Sequence, residues 1–238
     1  MASPAFTARL YAECVTKVNG TNSTFRLTLY PKSCITNYRK ELNMPAVFLT
    51  SDTHFGHKNI CKFTNYDGSP VRPWDDADEM DEDMVKRWNE TVRPNDKVYH
   101  LGDVVINRKS LAILDRLNGD KVLIKGNHDI FKLTDYTKYF RDIRGYHVMN
   151  GMILSHIPVS KGSIARFGTN IHGHTHGNRV MKTVGFWPFK KQVIDPDYFC
   201  VCVEQTDFRP ILFEDVIKRI KDQGGQVGFR QGNGPAID

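Results

Sequence analysis

The stretch "AVFLTSDTHFGH", residues 46–57, sets an apolar, β-branched run directly against a cluster of metal-ligating residue types. "AVFLT" reads as a short buried strand, and the chain then delivers Asp52, His54 and His57. The arrangement recurs. "KVYHL" (97–101) runs into Gly102 and Asp103, "KVLIK" (121–125) into Gly126, Asn127, His128 and Asp129, and "MILSH" (152–156) ends on His156. "TNIHG", at the head of "TNIHGHTHG" (169–177), brings His172, His174 and His176.

Between these runs, "DADEMDEDMVKRWNETV" and "KSLAILDRLN" carry apolar residues near helical spacing, the first with acidic residues at its start. Strands alternating with helices imply a layered α/β domain. Further strands are expected at "DIRGYHVMN", "TNIHG" and "YFCVCVE", and a helix at "FEDVIKRIKD". Residues 1–44 differ in texture: "FTARLYAECVTKV" and "STFRLTLY" flank "NGTN", which predicts an N-terminal β-hairpin extension ahead of a main domain at 45–222. The Gly-rich end, 223–238, reads as a flexible tail.

The chain has 238 residues, enough for one domain with an appendage. No apolar stretch approaches the roughly 18 residues that span a bilayer, so no membrane partner is expected. The N-terminus lacks the continuous apolar segment of a signal peptide. Five cysteines without a CxxC suit reduced thiols, and together these features predict a cytoplasmic protein. A net charge of +6 and a pI near 9.0 tilt the expectation towards an anionic partner.

In open α/β sheets, sites form beyond the carboxyl ends of the strands, so the polar clusters are expected to converge in one cleft. The donors are carboxylate, imidazole and one amide, without thiolate. That set excludes a structural zinc finger and points to a catalytic site for Mn, Fe, Zn or a similar ion. The seven groups Asp52, His54, Asp103, Asn127, His156, His172 and His174 exceed the needs of one four- or five-coordinate ion, whereas two ions about 3.5–4 Å apart would use them all. Each motif alone is weak: Asp-x-His is common and Gly-Asp is a turn signal. The conjunction, in order and after successive strands, carries the reading.

The ordered set Asp-x-His, Gly-Asp, Gly-Asn-His-Asp, His, Gly-His-x-His resembles the calcineurin-like metallophosphoesterases, over residues 46–176 and extending to about 222. "TSDTHFGHKNI" with "VYHLGD" looks most like the small phosphoesterases of bacteria and their phages. The resemblance implies a four-layer αββα sandwich of two mixed sheets with a dimetal centre at its edge. It implies two divalent ions, Mn²⁺ first with Fe, Zn, Ni or Co as alternatives. Asp52, His54 and His174 would hold one, Asn127, His156 and His172 the other, and Asp103 would bridge.

His128 is then left as the catalytic general acid, with Asp129 placed to orient its ring. The chain departs from the protein Ser/Thr phosphatases, which carry Gly-Asp-x-x-Asp-Arg-Gly and Gly-Asn-His-Glu. Here "GDVVINR" puts Ile106 where the Asp paired with the catalytic His would stand. The expectation is therefore a phosphodiesterase on a nucleotide-containing substrate, with nucleic acid as a further candidate partner. Its alternatives are a phosphomonoesterase on nucleotides or phosphoproteins, and a non-catalytic metal-binding module.

His57, Arg108 and His176 are the candidate substrate contacts. Their bland alternatives are a helix cap, a helix-surface charge and an exposed loop position. "NRVMKTVGFWPFKKQ" (178–192) interleaves Arg179, Lys182, Lys190 and Lys191 with Phe186, Trp187 and Phe189. Such a segment either stacks a base and meets phosphates, or is a β-hairpin with packed aromatics and solvated lysines. Cys200 and Cys202 read as buried structural thiols.

Overall fold

The computed structural model describes residues 44–65 and 67–230; the predicted N-terminal hairpin and residues 231–238 lie outside this range. The body is mixed α/β. One sheet has the order β11-β1-β2-β3-β4, built from β1 (Val47–Thr50), β2 (Lys97–His100), β3 (Asp120–Ile124), β4 (Asp142–Arg144) and β11 (Ile211–Leu212). A second has the order β10-β7-β6-β5, from β5 (Tyr146–Met149), β6 (Met152–Ser155), β7 (Asn170–His172) and β10 (Tyr198–Cys200). Both are mixed: β1 to β4 run parallel with β11 antiparallel, and β6, β7 and β10 run parallel with β5 antiparallel. A two-stranded sheet, β8 (Met181–Val184) and β9 (Lys191–Ile194), pairs with neither.

Strand alternation divides the core. In the first sheet Leu49, Tyr99, Val122 and Ile124 point into a cluster shared with Met152, Leu154, Ile171 and Phe199 of the second. Their neighbours Phe48, Val98 and Leu123 point the other way, into a cluster completed by helix α1 (Ala77–Thr91). Side chains one residue apart on a strand face opposite sides, so the continuous apolar runs mark a sheet covered on both faces. On the far side of the second sheet, Ile153 and Tyr198 meet Ile164 and Phe167, which come from turns rather than from a helix.

Helix α1 forms where the acidic start suggests. Asp76 caps it by accepting from the amides of Asp78 and Glu79, and Met80, Met84, Val85 and Trp88 bury one face. Asp81, on the same buried face, accepts from Gly56 N at 2.9 Å and so ties the helix to the loop that carries His54 and His57. A short helix α2 (Leu133–Tyr136) follows β3, and α3 (Phe213–Asp222) closes the domain with Phe213, Val216 and Ile220 in the inter-sheet core. No described helix is long and apolar enough to cross a membrane.

Three expectations differ from what forms. "KSLAILDRLN" is a 3-10 helix over Arg108–Arg116, because the buried Leu111, Leu114 and Leu117 recur every third residue and so line one face of the tighter winding. "DIRGYHVMN" is two strands. The chain turns at Gly145 and passes from the edge of the first sheet to the edge of the second. "YFCVCVE" is strand only to Cys200, then turns into a 3-10 segment at Val203–Gln205. The Gly-rich segment, as far as it is described, is bound to the body: Gln226 O accepts from Thr169 N, and Arg230 N donates to Arg166 O.

Asp96 aligns the first three strands at their amino ends. Its carboxylate accepts from Ala46 N at 2.8 Å, Arg93 N at 2.8 Å and the Arg93 guanidinium at 2.9 Å, while its carbonyl accepts from Asp120 N at 2.8 Å. Burial pushes its pKa up, but these donors outweigh it and hold the carboxyl below the usual 3.8. A depressed folded pKa contributes stability above pH 3.8 that is lost as pH falls through the folded value. Asp96→Ala is expected to lower unfolding free energy by about 2–3 kcal/mol near neutrality. That deficit should shrink in urea titrations repeated at progressively lower pH.

Candidate metal centre

The parallel strands β1, β2, β3, β6 and β7 all release their chains at carboxyl ends, and backbone hydrogen bonds continue past them into the loops. Asp52 N donates to Gly102 O at 2.9 Å, His54 N to Asp103 O at 3.0 Å, and Gly173 N to His156 O at 2.8 Å. The loops are thus extensions of the ladder, and side chains on them inherit its rigidity. Asp52, His54, Asp103, His174 and His176 have φ of 59°, 50°, 57°, 67° and 50°. Left-handed backbone at a non-glycine residue costs on the order of 1 kcal/mol or more, and such strain gathers where side chains must be aimed.

Two glycines make the convergence feasible. Gly102, at φ +98°, has no room for a side chain: a Cβ there would stand 2.6 Å from Gly126 N and 2.7 Å from His156 Nδ1. A Cβ on Gly173 would press on Asp52 Oδ2 at 2.5 Å. The Gly-Asp and Gly-Asn-His-Asp motifs need their glycines because their backbones touch one another, and the Gly-His-x-His glycine leaves room for the Ser51 and Asp52 side chains.

The donor atoms form two groups, each within a 4.8 Å span: Asp52, His54 and His176, and Asp103, His156 and His174. Asp103 links them. Its Oδ2 lies 3.8 Å from His54 Nε2 and 3.4 Å from His156 Nε2, and Asp52 Oδ1 is 3.7 Å from His54 Nε2 and 3.9 Å from His176 Nε2. Asn127 Oδ1 is 2.7 Å from His156 Nε2. His156 Nδ1 is committed to Leu101 O at 2.7 Å, and His172 Nδ1 to Gly173 O at 2.8 Å. With Nδ1 donating, each ring presents its Nε2 lone pair to a ligand.

This arrangement fits cations. Asp52 Oδ1 and both nitrogens of His54 are buried without a hydrogen-bond partner, an expensive condition unless an ion takes the lone pairs. The Asn127 amide oxygen, the Asp103 carboxylate and His156 Nε2 converge as three acceptors that need a positive centre among them. Protons partly fill that need. Burial pushes the Asp52 carboxyl up, but His54 and neighbouring imidazoles outweigh it and hold it well below the usual range. Burial likewise opposes ionisation of Asp103, and its hydrogen bond with His156 prevails, lowering the carboxyl and raising the imidazole. Burial pushes His172 down to about 4, so that ring is neutral and ready to coordinate.

The grouping differs from that expected at three histidines. His176, assigned to substrate, joins Asp52 and His54, stacked on the His54 ring at 5.2 Å, whereas His174 joins Asp103 and His156. His172 is buried and belongs to neither group. His128 donates its backbone N–H to Asp103 Oδ1 at 2.8 Å and leaves its ring exposed, edge-on to His54 at 5.5 Å.

Asp129 corrects another expectation. Its carboxylate is spent on backbone amides: Asp103 N at 2.9 Å, Val104 N at 3.0 Å and Gly126 N at 2.8 Å. It is fully buried and staples the β2 and β3 loops together, holding the peptide groups around the site instead of the His128 ring. His57 does act at a loop start, its Nδ1 accepting from Asn59 N at 3.2 Å, and its ring packs edge-on to His54 at 5.8 Å. Arg108 is engaged by Asp135 at 2.7 Å and lies over the Phe131 ring.

Two residues of the site left no trace in the motifs. Arg72, fully buried, donates to the carbonyls of Asp52 at 2.6 Å and Thr53 at 2.7 Å, and pairs with Glu204 at 2.8 Å. Glu204 in turn accepts from His176 Nδ1 at 2.9 Å. This chain fixes the strained Asp52 peptide and orients His176. Cys202 donates its thiol to Asp52 Oδ2 at 3.1 Å, which accounts for one of the two buried cysteines. Only His176 had a signal, the alternation of His172, His174 and His176.

No protein-family model matches the chain. An uncharacterized protein of Methanocaldococcus jannaschii, MJ1445, is 34% identical over 186 residues, covering 76% of this chain and 94% of the relative. The chain belongs to the family of that protein. The gene 66 protein of Mycobacterium phage L5 is 33% identical over 91 residues, 36% of this chain and 41% of the phage protein. Among solved structures, the protein of unknown function AQ665 from Aquifex aeolicus superposes with a TM-score of 0.52 at 24% identity, covering 74% of this chain and all of that one. It shares the fold.

Because Asp129 holds the loops and is in neither group of candidate ligands, Asp129→Asn is expected to weaken Mn²⁺ binding about 10- to 100-fold while leaving the circular dichroism spectrum unchanged. Isothermal titration decides the matter. Wild-type affinity in the variant would mean the loops hold their shape without this carboxylate.

Proposed function

We propose that the protein is a dinuclear-metal phosphoesterase of the calcineurin-like type, acting on a phosphodiester in a nucleotide-containing substrate. The observation that carries this reading is the position of Asp103, one carboxylate oxygen within 3.8 Å of His54 Nε2 and 3.4 Å of His156 Nε2. A single carboxylate between two donor groups suits a pair of ions about 3.5–4 Å apart. The nitrogen and oxygen donors favour Mn²⁺ or a similar ion over a thiolate-bound metal. The reading takes the two sheets for the inner layers of an αββα sandwich, supported by the core they share and by α1 on the outer face of the first.

Divalent ions in such a site supply positive charge to phosphoryl oxygens and lower the pKa of water. The chain's own contribution is positional. Asp52, Asp103, Asn127 and the histidines hold the donors in rigid loops, and Arg72 and Asp129 keep the loops from relaxing. His128, exposed and anchored through its backbone to Asp103, is placed to hold the proton that a departing alkoxide needs. Arg72 is committed to Glu204 and two carbonyls, and Arg108 to Asp135, so neither guanidinium is spare for the second charge of a monoester. That favours a diester, which carries a single charge.

With Mn²⁺ present, bis-nitrophenyl phosphate should be hydrolysed in preference to nitrophenyl phosphate. His128→Ala should reduce kcat about 10²- to 10⁴-fold with metal binding retained. Asp103→Asn should abolish both turnover and the second equivalent of metal. Preference for the monoester would transfer the assignment to a phosphomonoesterase; metal binding without turnover of either ester would leave a non-catalytic metal-binding module.

A further inference from the structure

The β8–β9 hairpin places at its tip a group of side chains that the metal site does not use. Val184 pairs with Lys191, and the turn between them runs Gly185, Phe186, Trp187, Pro188, Phe189, Lys190. Phe186, Trp187 and Phe189 are 72%, 80% and 71% exposed. An exposed tryptophan flanked by two exposed phenylalanines is a large apolar patch for so short a turn, and such patches mark interaction sites. Phe186 and Phe189 meet edge to face at 5.7 Å, which leaves ring faces open for a planar ligand.

The surrounding charge has one sign. Residues 178–194 contain Arg179, Lys182, Lys190 and Lys191 and no aspartate or glutamate. Among the described residues, none of these four cations has a carboxylate partner. Thr183 and Gln192, directly paired behind the turn, hydrogen bond to each other at 2.9 Å. Beyond that pair the exposed apolar surface resumes at the paired Met181 and Ile194, 48% and 43% exposed.

We propose that this hairpin tip binds single-stranded nucleic acid, with Trp187 and Phe189 stacking on unpaired bases and Lys182, Lys190 and Lys191 meeting the phosphates. Rings stack on any base and cations meet any backbone, so binding is sequence-tolerant and falls as salt rises. A paired duplex offers no open base face without unstacking, which sets the preference for single strands. The inference stands apart from the metal chemistry.

The experiment uses the full chain and a 15-nucleotide phosphorothioate oligothymidylate, which resists hydrolysis and so reads binding alone. The other tryptophans, Trp74 and Trp88, are 6% and 2% exposed, so ligand-induced change in emission reports Trp187. The oligonucleotide is expected to quench that emission. By anisotropy of a labelled strand, Trp187→Ala and Phe189→Ala should each weaken binding about five- to tenfold or more. Lys190→Glu with Lys191→Glu should weaken it further and flatten its salt dependence. Circular dichroism confirms that each variant is folded, which exposed turn positions should permit. The proposal is overturned if the aromatic variants bind as wild type, or if a duplex of the same length binds equally well. It is also overturned if phosphatidylglycerol vesicles shift Trp187 emission to the blue while the oligonucleotide leaves it unchanged.

Discussion

Two carboxylates, Asp52 and Asp103, are buried at the carboxyl ends of adjacent parallel strands among the imidazoles of His54, His156 and His176. Buried anions are tolerated only when paired. The need to pair these anions organises the surrounding structure: five candidate ligands adopt left-handed backbone, and glycines stand where the motifs crowd one another. Asp129 is committed to three amides, and Arg72 is sealed from solvent to hold the Asp52 carbonyl. Each of these costs stability by itself. Together they keep donor atoms apart by distances that protons span poorly and divalent ions span well.

The fold supplies the stiffness for this. Parallel strands end together, and their ladders continue into the loops, so a side chain on Asp52 or His156 is aimed by a sheet rather than by a free turn. The inter-sheet core holds the two halves of the site in register, since Leu49 and Tyr99 pack with Leu154 and Ile171 a few residues before the ligands of their own strands. Helix α1 adds a clamp through Asp81, whose carboxyl is pushed up to about 6 by burial, and which grips the loop after His54.

Most of the first sheet, and the convergence of most candidate ligands beyond its strands, were legible in the residue order, because both signals are local. A run such as "KVLIK" followed by "GNHD" names a strand and its load in one reading. What escaped was decided by distant partners. Arg72, in a loop, and Glu204, in a 3-10 turn, lie 132 residues apart, and no spacing links them. Asp129 looked like a neighbour of His128, but the space behind β3 offered it three amide donors. "KSLAILDRLN" carries a leucine spacing that suits two windings, and burial against α1 settled the tighter one. The aromatics after Gly185 read as candidates for packing, yet the turn carries them beyond the β8–β9 strands to face solvent.

The proposed dinuclear centre requires Asp103 to bridge two ions. Anomalous diffraction from crystals soaked in Mn²⁺, collected at a wavelength where manganese scatters anomalously, tests it most directly. Two peaks are expected about 3.5–4 Å apart, one on each side of the Asp103 carboxylate, one contacted by Asp52 and His54 and the other by Asn127 and His156. A single peak, or a pair that leaves Asp103 uncontacted, would contradict it.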